Sequence, residues 1–197
     1  MGKNTEMLKC FFKVMTDKNE KVIVPDMYAA DVYSIDYDFL AKQKLYNLIF
    51  DIDNTILPVN EINIPENLIK LFKELDKKGF NILILSNNIK DRVIPVAYKL
   101  ETGYLFKADK PKACAFDKAL LALDAKKENT AMIGDQMLTD IKGANEYGIY
   151  SILVDPVSNS YDIKTGISRV LQNIMTKKLE KRKVFTRNNY YKNKEER

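Results

Sequence analysis

The chain has 197 residues and contains no histidine and no tryptophan. The absence of histidine excludes Ser–His and Cys–His nucleophilic pairs, phosphohistidine chemistry and histidine-ligated zinc. Its two cysteines, Cys10 and Cys114, have no metal-ligand spacing and make no disulfide framework, which favours a reducing, cytoplasmic setting. Any catalysis must therefore use carboxylates, hydroxyls, lysines, backbone groups and, where one binds, a hard metal ion.

Glycine and proline are scarce, and no apolar run reaches the roughly 18 residues that a membrane-spanning helix needs. Hydrophobic residues make up 46% of the chain and charged residues 30%, a composition typical of one globular domain. Positive charge is concentrated in residues 177–197, where nine Lys or Arg face three Glu. We therefore expect a single domain over residues 1–176, followed by a basic C-terminal tail over residues 177–197.

Short apolar runs alternate with amphipathic segments through the middle of the chain. Strands are predicted at 45–52, 80–86, 104–111 (with a loop), 130–135 and 149–155, and helices at 64–79, 89–100, 112–123 and 138–148. Apolar strands separated by helices are typical of a parallel sheet that is covered on both faces. The predicted fold class is therefore α/β, a Rossmann-like three-layer architecture.

Polar residues follow four of the predicted strands. They are Asp51, Asp53, Asn54 and Thr55 after the first, Ser86 and Asn87 after the second, Lys110 after the third, and Asp135 with Asp140 after the fourth. One such cluster would commonly be a turn. Because sites in parallel sheets form beyond the carboxyl ends of the strands, four clusters in order predict one shared site.

This series, from Asp51-Ile-Asp53-Asn54-Thr55 through Ser86 and Lys110 to Gly134-Asp135 and Asp140, resembles the four motifs of the haloacid dehalogenase superfamily of phosphohydrolases. The similarity spans residues 45–156. It implies a phosphomonoester hydrolase that works through an aspartyl-phosphate intermediate. Neither the gap after the first motif nor the one between Ser86 and Lys110 is long enough to hold a domain, so we expect a core without a large cap domain and an open site.

The resemblance implies three catalytic residues: Asp51 as nucleophile, Asp53 as general acid and base, and Lys110 as the balancing positive charge. A carboxylate nucleophile divides a difficult displacement into two easier steps, and Asp53 would protonate the leaving oxygen and then activate water. Lys107 and Lys112 lie close enough in sequence to compete with Lys110. The alternative for Asp53 is a cap on the following turn or helix.

A phosphate beside carboxylates requires a cation, and Mg²⁺ binds oxygen ligands. By the resemblance, its ligands are the Asp51 carboxylate, the Asp53 backbone carbonyl, Asp135 and Asp140, the last directly or through water. Asp135 could instead be a helix N-cap, and Asp140 an exposed helix residue.

Four residues are expected to bind the substrate phosphate: Thr55, Ser86, Asn87 through its backbone N–H, and Lys110. Ser86 could also be the N-cap of the next helix, and Thr55 could instead cap the turn that follows it.

A narrower resemblance lies in residues 25–55, PDMYAADVYSIDYDFLAKQKLYNLIFDIDNT, together with GDQMLTDIKGANEYGI at 134–149 and residues 165–169 before the basic tail. These stretches are similar to the YqeG-type phosphatases of subfamily IIIA, which are related to phosphatidylglycerophosphate phosphatases. The resemblance implies a lipid head group as substrate. The alternatives are a phosphatase of a soluble metabolite, nucleotide or phosphoprotein and, in another class, a non-catalytic RNA- or signal-binding protein, with nucleic acid the less favoured partner.

Apolar residues also recur at helical spacing near the C-terminus, at Ile167, Val170, Leu171, Ile174 and Met175, and basic residues follow them. An apolar face beside a basic segment could place residues 167–197 on the anionic inner face of a membrane. The alternative is a helix that packs on the sheet and is followed by a solvated tail.

Overall fold

The structure is a computed structural model that describes residues 11–12, 20–59, 61–158 and 163–193, without the side chains of residues 20–21 and 163–169. The strands are β1 (Met27–Ala29), β2 (Asn47–Phe50), β3 (Asn81–Leu85), β4 (Gly103–Leu105), β5 (Thr130–Gly134) and β6 (Tyr150–Val154). The helices are α1 (Tyr37–Lys42), α2 (Glu66–Lys77), α3 (Lys90–Leu100), α4 (Ala113–Leu123), α5 (Lys142–Tyr147) and α6 (Ile163–Lys181), with a π-helical turn at Met137–Ile141 and 3₁₀ turns at Glu20–Ile23 and Lys127–Asn129.

All strand pairs of the sheet are parallel, and the strand order is β1-β6-β5-β2-β3-β4. The chain builds outward from β2 through β3 to β4, then crosses back to β5 on the other side of β2. The carboxyl ends of β2 and β5 therefore flank the point where the strand order reverses, which is where open α/β sheets bind ligands.

Successive residues of each strand point to opposite faces of the sheet, and both faces are covered. Leu48 and Phe50 pack with residues of α2 and α3, whereas Ile49 between them packs with residues of α4 and α5. This confirms the predicted three-layer α/β fold. The described segments after β2 and between β3 and β4 hold only turns and α3, so neither contains a cap domain.

Two elements near the N-terminus were not predicted from the sequence, β1 and α1. Strand β1 pairs with β6 at the edge of the sheet, with Met27 opposite Ile152. A strand of three residues is too short for its periodicity to be recognised. The helix predicted at 138–148 also begins differently, because its first turn is π-helical.

The segment 177–197, predicted to be a basic tail, begins inside a helix, because residue 177 lies within α6. Leu179, Phe185 and Tyr191 are buried with residues of the π-helical turn and β6. The backbones of Tyr191 and Tyr28 exchange two hydrogen bonds, of 2.9 and 3.0 Å. Burial of these apolar side chains holds the basic segment to the body at least as far as residue 191, and residues 194–197 lie outside the described part.

On α6, Leu171 and Met175 are buried, whereas the side chains of Val170 and Ile174 are 58% and 44% exposed. The predicted apolar face is therefore divided between the core and the surface, and the side chain of Ile167 is outside the described part. No helix among the described residues combines the length and the apolar character that crossing a membrane requires.

Candidate active site

The first two predicted site residues lie at the ends of neighbouring strands. In the register of β2 and β5, Phe50 is opposite Ile133, and the Asp51 backbone N–H donates to the Ile133 carbonyl at 3.0 Å. Asp51 and Asp135 therefore leave the sheet side by side. Strand pairing alone brings together two carboxylates that are far apart in the sequence.

Asp140 completes a cluster of three buried carboxylates. Asp51, Asp135 and Asp140 each offer a carboxylate oxygen within 4.8 Å of the others. The alternative of an exposed helix residue is wrong for Asp140, which is 1% exposed. The alternative of a helix N-cap is also wrong for Asp135, because Gln136 holds the N-cap position of the turn that follows.

Asp140 can enter the cluster because residue 134 is glycine. A Cβ atom on Gly134 would lie 2.4 Å from the carboxyl carbon and one carboxylate oxygen of Asp140. A hydrogen bond also holds the Asp140 carboxylate in place, because the Gln136 backbone N–H donates to Asp140 Oδ2 at 3.1 Å. The Gly-Asp pair at the end of β5 thus makes the close approach of the third carboxylate possible.

Lys110 is the cation at the centre of this cluster. Its Nζ lies 2.8 Å from Asp51 Oδ1 and 2.8 Å from Asp140 Oδ1, and its side chain is 1% exposed. Asn87 fixes the backbone of Lys110. Its side-chain amide donates to the Lys110 carbonyl at 3.0 Å and accepts from the Lys110 backbone N–H at 2.8 Å. The competing residues Lys107 and Lys112 are exposed, and Lys112 pairs with Asp109.

The pKa values of Asp51 and Lys110 are both raised by their surroundings in the cluster. Burial raises the pKa of Asp51; Lys110 acts against this, but Asp140 and Asp53 raise the pKa further. Burial by itself lowers the pKa of Lys110, yet the carboxylates of Asp140 and Asp51 outweigh it, so that this pKa is raised. The two shifts differ in their main cause, since burial dominates the shift of Asp51 and the neighbouring carboxylates dominate the shift of Lys110.

Thr55 and Ser86 are both buried beside the cluster. The Thr55 hydroxyl donates to Asp135 Oδ1 at 3.2 Å, and Ser86 Oγ accepts from the Asn88 backbone N–H at 3.1 Å. Ser86 is not the N-cap of α3, because that position is held by Ile89. Its bond to Asn88 forms a local turn at the end of β3.

Asp53 lies in a different environment from the other three carboxylates. Its two oxygens accept from Arg92 Nε at 2.9 Å and from Asn88 Nδ2 at 3.0 Å, so it caps neither a turn nor a helix. The Arg92 guanidinium also donates to the Glu61 carbonyl and, at 3.1 Å, to the Pro58 carbonyl. Arg92 therefore ties the loop after β2 to α3.

Sequence reasoning missed Arg92 and the Asn88 side chain as members of the site. A signal was available, since the two residues are four positions apart where β3 passes into a predicted helix, and such residues can share one face. The sequence did not indicate which strand-end carboxylate they would meet.

The residues of the cluster fit a divalent metal ion. Three carboxylates against one ammonium leave two uncompensated negative charges when all are ionised, and this equals the charge of one divalent cation. The donors are all hard oxygens, which Mg²⁺ prefers. Beside the cluster, a cleft of about 690 Å³ is lined by Thr55 and by Asp31, Glu61 and Asp155.

Two family models match the chain, one described as HAD-hydrolase-like over residues 108–162 and one described as mitochondrial PGP phosphatase over residues 6–99. The probable phosphatase YqeG of Bacillus subtilis (strain 168) is 33% identical over 153 residues, which cover 78% of this chain and 89% of that protein. A ribulose-1,5-bisphosphate 5-phosphatase of Halopiger xanaduensis is 28% identical, over 52% of this chain and 46% of that protein.

Among solved structures, the 3-deoxy-D-manno-octulosonate 8-phosphate phosphatase of Yersinia pestis is similar with a TM-score of 0.46. The two sequences are 16% identical, and the match covers 73% of this chain and 89% of that one.

Proposed function

Because the chain belongs to the haloacid dehalogenase superfamily of phosphatases, among its YqeG-type members, we propose that it is a Mg²⁺-dependent phosphomonoester hydrolase that works through an aspartyl-phosphate. The observation that carries the proposal is the buried cluster of Asp51, Asp135 and Asp140 around Lys110. A nucleophile, a countercharge and a set of hard oxygen ligands meet there at the end of β2.

In the first step, an oxygen of the Asp51 carboxylate attacks the phosphorus and the bond to the ester oxygen breaks. Asp53 gives a proton to the leaving oxygen, which departs as an alcohol. In the second step, Asp53 takes a proton from water, the water oxygen bonds to phosphorus, and the Asp51 carboxylate is released. Because Asp53 accepts from Arg92 and Asn88 here, it must exchange one of these partners for the substrate.

The carboxylates of Asp51, Asp135 and Asp140 and the Asp53 carbonyl would hold the Mg²⁺. When bound, the ion supplies positive charge to the phosphoryl oxygens. Lys110 adds the charge of its ammonium group, and Ser86 and the Asn87 backbone N–H would donate to the same oxygens. Thr55 would donate there too, after exchanging its hydrogen bond to Asp135 for one to the phosphate.

The proposed substrate is phosphatidylglycerophosphate. Its support is the match of residues 6–99 to the mitochondrial PGP phosphatase model and a site that no inserted domain covers. The exposed Val170 and Ile174 on α6 lie in sequence just before the exposed Lys177 and Lys181. Residues 167–197 would contact the anionic inner face of the membrane through this surface.

One observation favours a second candidate, a phosphatase of a soluble ester. The cleft beside Thr55 is lined by three carboxylate residues, Asp31, Glu61 and Asp155, and its described lining includes no Lys or Arg. A leaving group that bears hydroxyls suits this lining better than one that bears a second negative charge.

A substrate panel tests the proposal. Turnover is measured with Mg²⁺ or EDTA on phosphatidylglycerophosphate in phosphatidylcholine vesicles, glycerol 3-phosphate, ribulose 1,5-bisphosphate, a nucleoside monophosphate and a phosphoserine peptide. We expect EDTA to abolish turnover and the lipid to have the highest kcat/KM. If the lipid is not hydrolysed while a soluble ester turns over rapidly, the second candidate is correct.

Membrane contact is tested separately by sedimentation with vesicles that contain phosphatidylglycerol. Changing Lys177 and Lys181 together to Glu should reduce the bound fraction, because each basic residue near an anionic surface contributes about 1 kcal/mol. The matched control changes Lys77 and Lys99 together to Glu, two exposed lysines on α2 and α3. Equal losses in both proteins would show that no specific surface binds.

A further inference from the structure

The C-terminal helix contacts the loop that carries Asp135. Leu171, Met175 and Leu179 of α6 are buried with Met137, Leu138 and Ile141 of the π-helical turn. Gln172 lies on the same helix, next to Leu171. This packing places a polar side chain of α6 against the backbone of residues 135–137.

Both polar atoms of the Gln172 side-chain amide form hydrogen bonds with this backbone. Its Nε2 donates to the Asp135 carbonyl at 2.9 Å, and its Oε1 accepts from the Met137 N–H at 3.1 Å. The two peptide groups stand on either side of Gln136, where the chain leaves β5 and enters the turn. The first N–H groups of a helical turn have no partner within it, and a primary amide supplies a donor and an acceptor together.

The loop is therefore held from two sides. Asp140 bonds the Gln136 N–H from within the loop, and Gln172 bonds the flanking peptide groups from α6. The backbone of Asp135 sets the position of its carboxylate. Mg²⁺ requires oxygen ligands at 2.0–2.1 Å in near-ideal octahedral geometry, so a backbone shift of about half an ångström would weaken binding.

We propose that Gln172 is a positioning residue for Asp135, through which the C-terminal helix sets the affinity of the metal site. This inference rests on the proposed function, since it assumes that the carboxylate cluster binds a divalent cation. It gives α6 a role in the reaction although no residue of that helix belongs to the four motifs. Partners behind a metal ligand typically change metal affinity or activity about 10–100-fold when they are removed.

The test is a Mn²⁺ titration of the free protein, followed by the electron paramagnetic resonance signal of unbound Mn²⁺. Gln172→Met keeps the length and apolar stem of the side chain and removes both hydrogen bonds. We expect its Mn²⁺ dissociation constant to rise about 10-fold or more. At saturating Mg²⁺, kcat for p-nitrophenyl phosphate should recover more fully than at limiting Mg²⁺, while KM for the ester changes little.

The matched control is Asn173→Ala, because Asn173 is the next residue of α6 and its side chain accepts from Arg187 at 2.6 Å. This control should bind Mn²⁺ as the wild type does. Should Gln172→Met fold poorly, Gln172→Asn keeps the amide on a shorter stem and should also weaken Mn²⁺ binding. Wild-type Mn²⁺ affinity in a folded Gln172 variant, or an equal loss in Asn173→Ala, would overturn the inference. Absence of Mn²⁺ binding by the wild type would instead overturn the proposed metal site.

Discussion

Two charged clusters lie at the same edge of the sheet, and they differ in charge balance. Around Lys110, the three carboxylates of Asp51, Asp135 and Asp140 exceed the available positive charge. Asp53 instead faces the guanidinium of Arg92 in a pair of one negative and one positive charge. Both clusters are largely buried, so water screens the charges of neither cluster well.

The difference shows that the charges of a buried cluster can be balanced by protein groups alone or can leave an excess that suits a bound ion. The Arg92 guanidinium is bonded to Asp53 and to two carbonyls, so this pair is satisfied by the protein alone. The cluster around Lys110 has three carboxylates against one ammonium, and a bound dication would balance its charge when all of these groups are ionised. Removing one charge should therefore have different consequences in the two clusters. Three substitutions test this, and a fourth crowds Asp140 without changing the charge.

The largest expected effect is the loss of turnover in Asp51→Asn. Because this substitution removes the proposed nucleophile, kcat should fall by about a thousandfold or more. In EDTA, however, the free energy of unfolding should be at least that of the wild type, because one of three mutually repelling carboxylates has been neutralised. Urea unfolding and steady-state kinetics measure the two quantities, and Asp91→Asn on the surface of α3 is the control.

If the free energy of unfolding of Asp51→Asn in EDTA fell clearly below that of the wild type, the contrast drawn between the two clusters would be wrong. It would show that the ion pair of Asp51 with Lys110 outweighs the repulsion among the carboxylates.

The second effect concerns the only cation in direct contact with Asp51 and Asp140 among the described residues. Lys110→Met leaves the carboxylates without their ammonium and should lower the free energy of unfolding by about 3–5 kcal/mol in EDTA. Saturating Mg²⁺ should stabilise the variant more than the wild type and so restore part of this loss, because the ion then meets three uncompensated negative charges instead of two. The exposed Lys112→Met is the control. If Mg²⁺ stabilised neither the variant nor the wild type, the cluster would not be the metal site.

The third effect tests the ion pair of Asp53 with Arg92, in which one negative and one positive charge balance. Arg92→Met should lower the free energy of unfolding by about 2–3 kcal/mol, because it leaves Asp53 and two carbonyls short of donors. Mg²⁺ should stabilise this variant only as much as the wild type, so the difference between the two proteins should remain, in contrast to Lys110→Met. Adding Asp53→Asn should recover part of the loss, since both charges are then removed. Recovery with Mg²⁺ instead would mean that the two clusters act as one.

The smallest effect comes from crowding beside Asp140. Gly134→Ala places a methyl group where the Asp140 carboxyl lies, at a cost of about 1–2 kcal/mol, because that side chain can shift only by leaving the cluster. The affinity for Mn²⁺ should fall as well. Gly103→Ala is the matched control, because its new Cβ would meet only the end of the Leu83 side chain, at 3.0 Å, and the Ile82 carbonyl, at 3.9 Å. Unchanged metal affinity in Gly134→Ala would show that Asp140 need not approach so closely.

Much of the core fold was predictable because apolar runs and helix ends are local features. The run LYNLIFDI predicts β2, and Gly79 ends α2 with a φ of +84° that favours glycine. Strand β1 and the burial of Phe185 and Tyr191 were missed. Strand β1 depends on pairing with β6, about 125 residues away, and the burial of Phe185 and Tyr191 depends on contacts with Tyr28, about 160 residues away. No local pattern records either kind of contact.

The sequence by itself determined which chemical groups are available and that they follow four strands: carboxylates at 51, 53, 135 and 140, a lysine at 110 and no histidine. Only the tertiary structure decided how these groups are divided. In the folded chain, Asp51, Asp135 and Asp140 lie together around Lys110, whereas Asp53 forms an ion pair with Arg92. The reason is that side chains at strand ends meet according to strand order, loop path and the space left by residues such as Gly134, and these are properties of the packed chain.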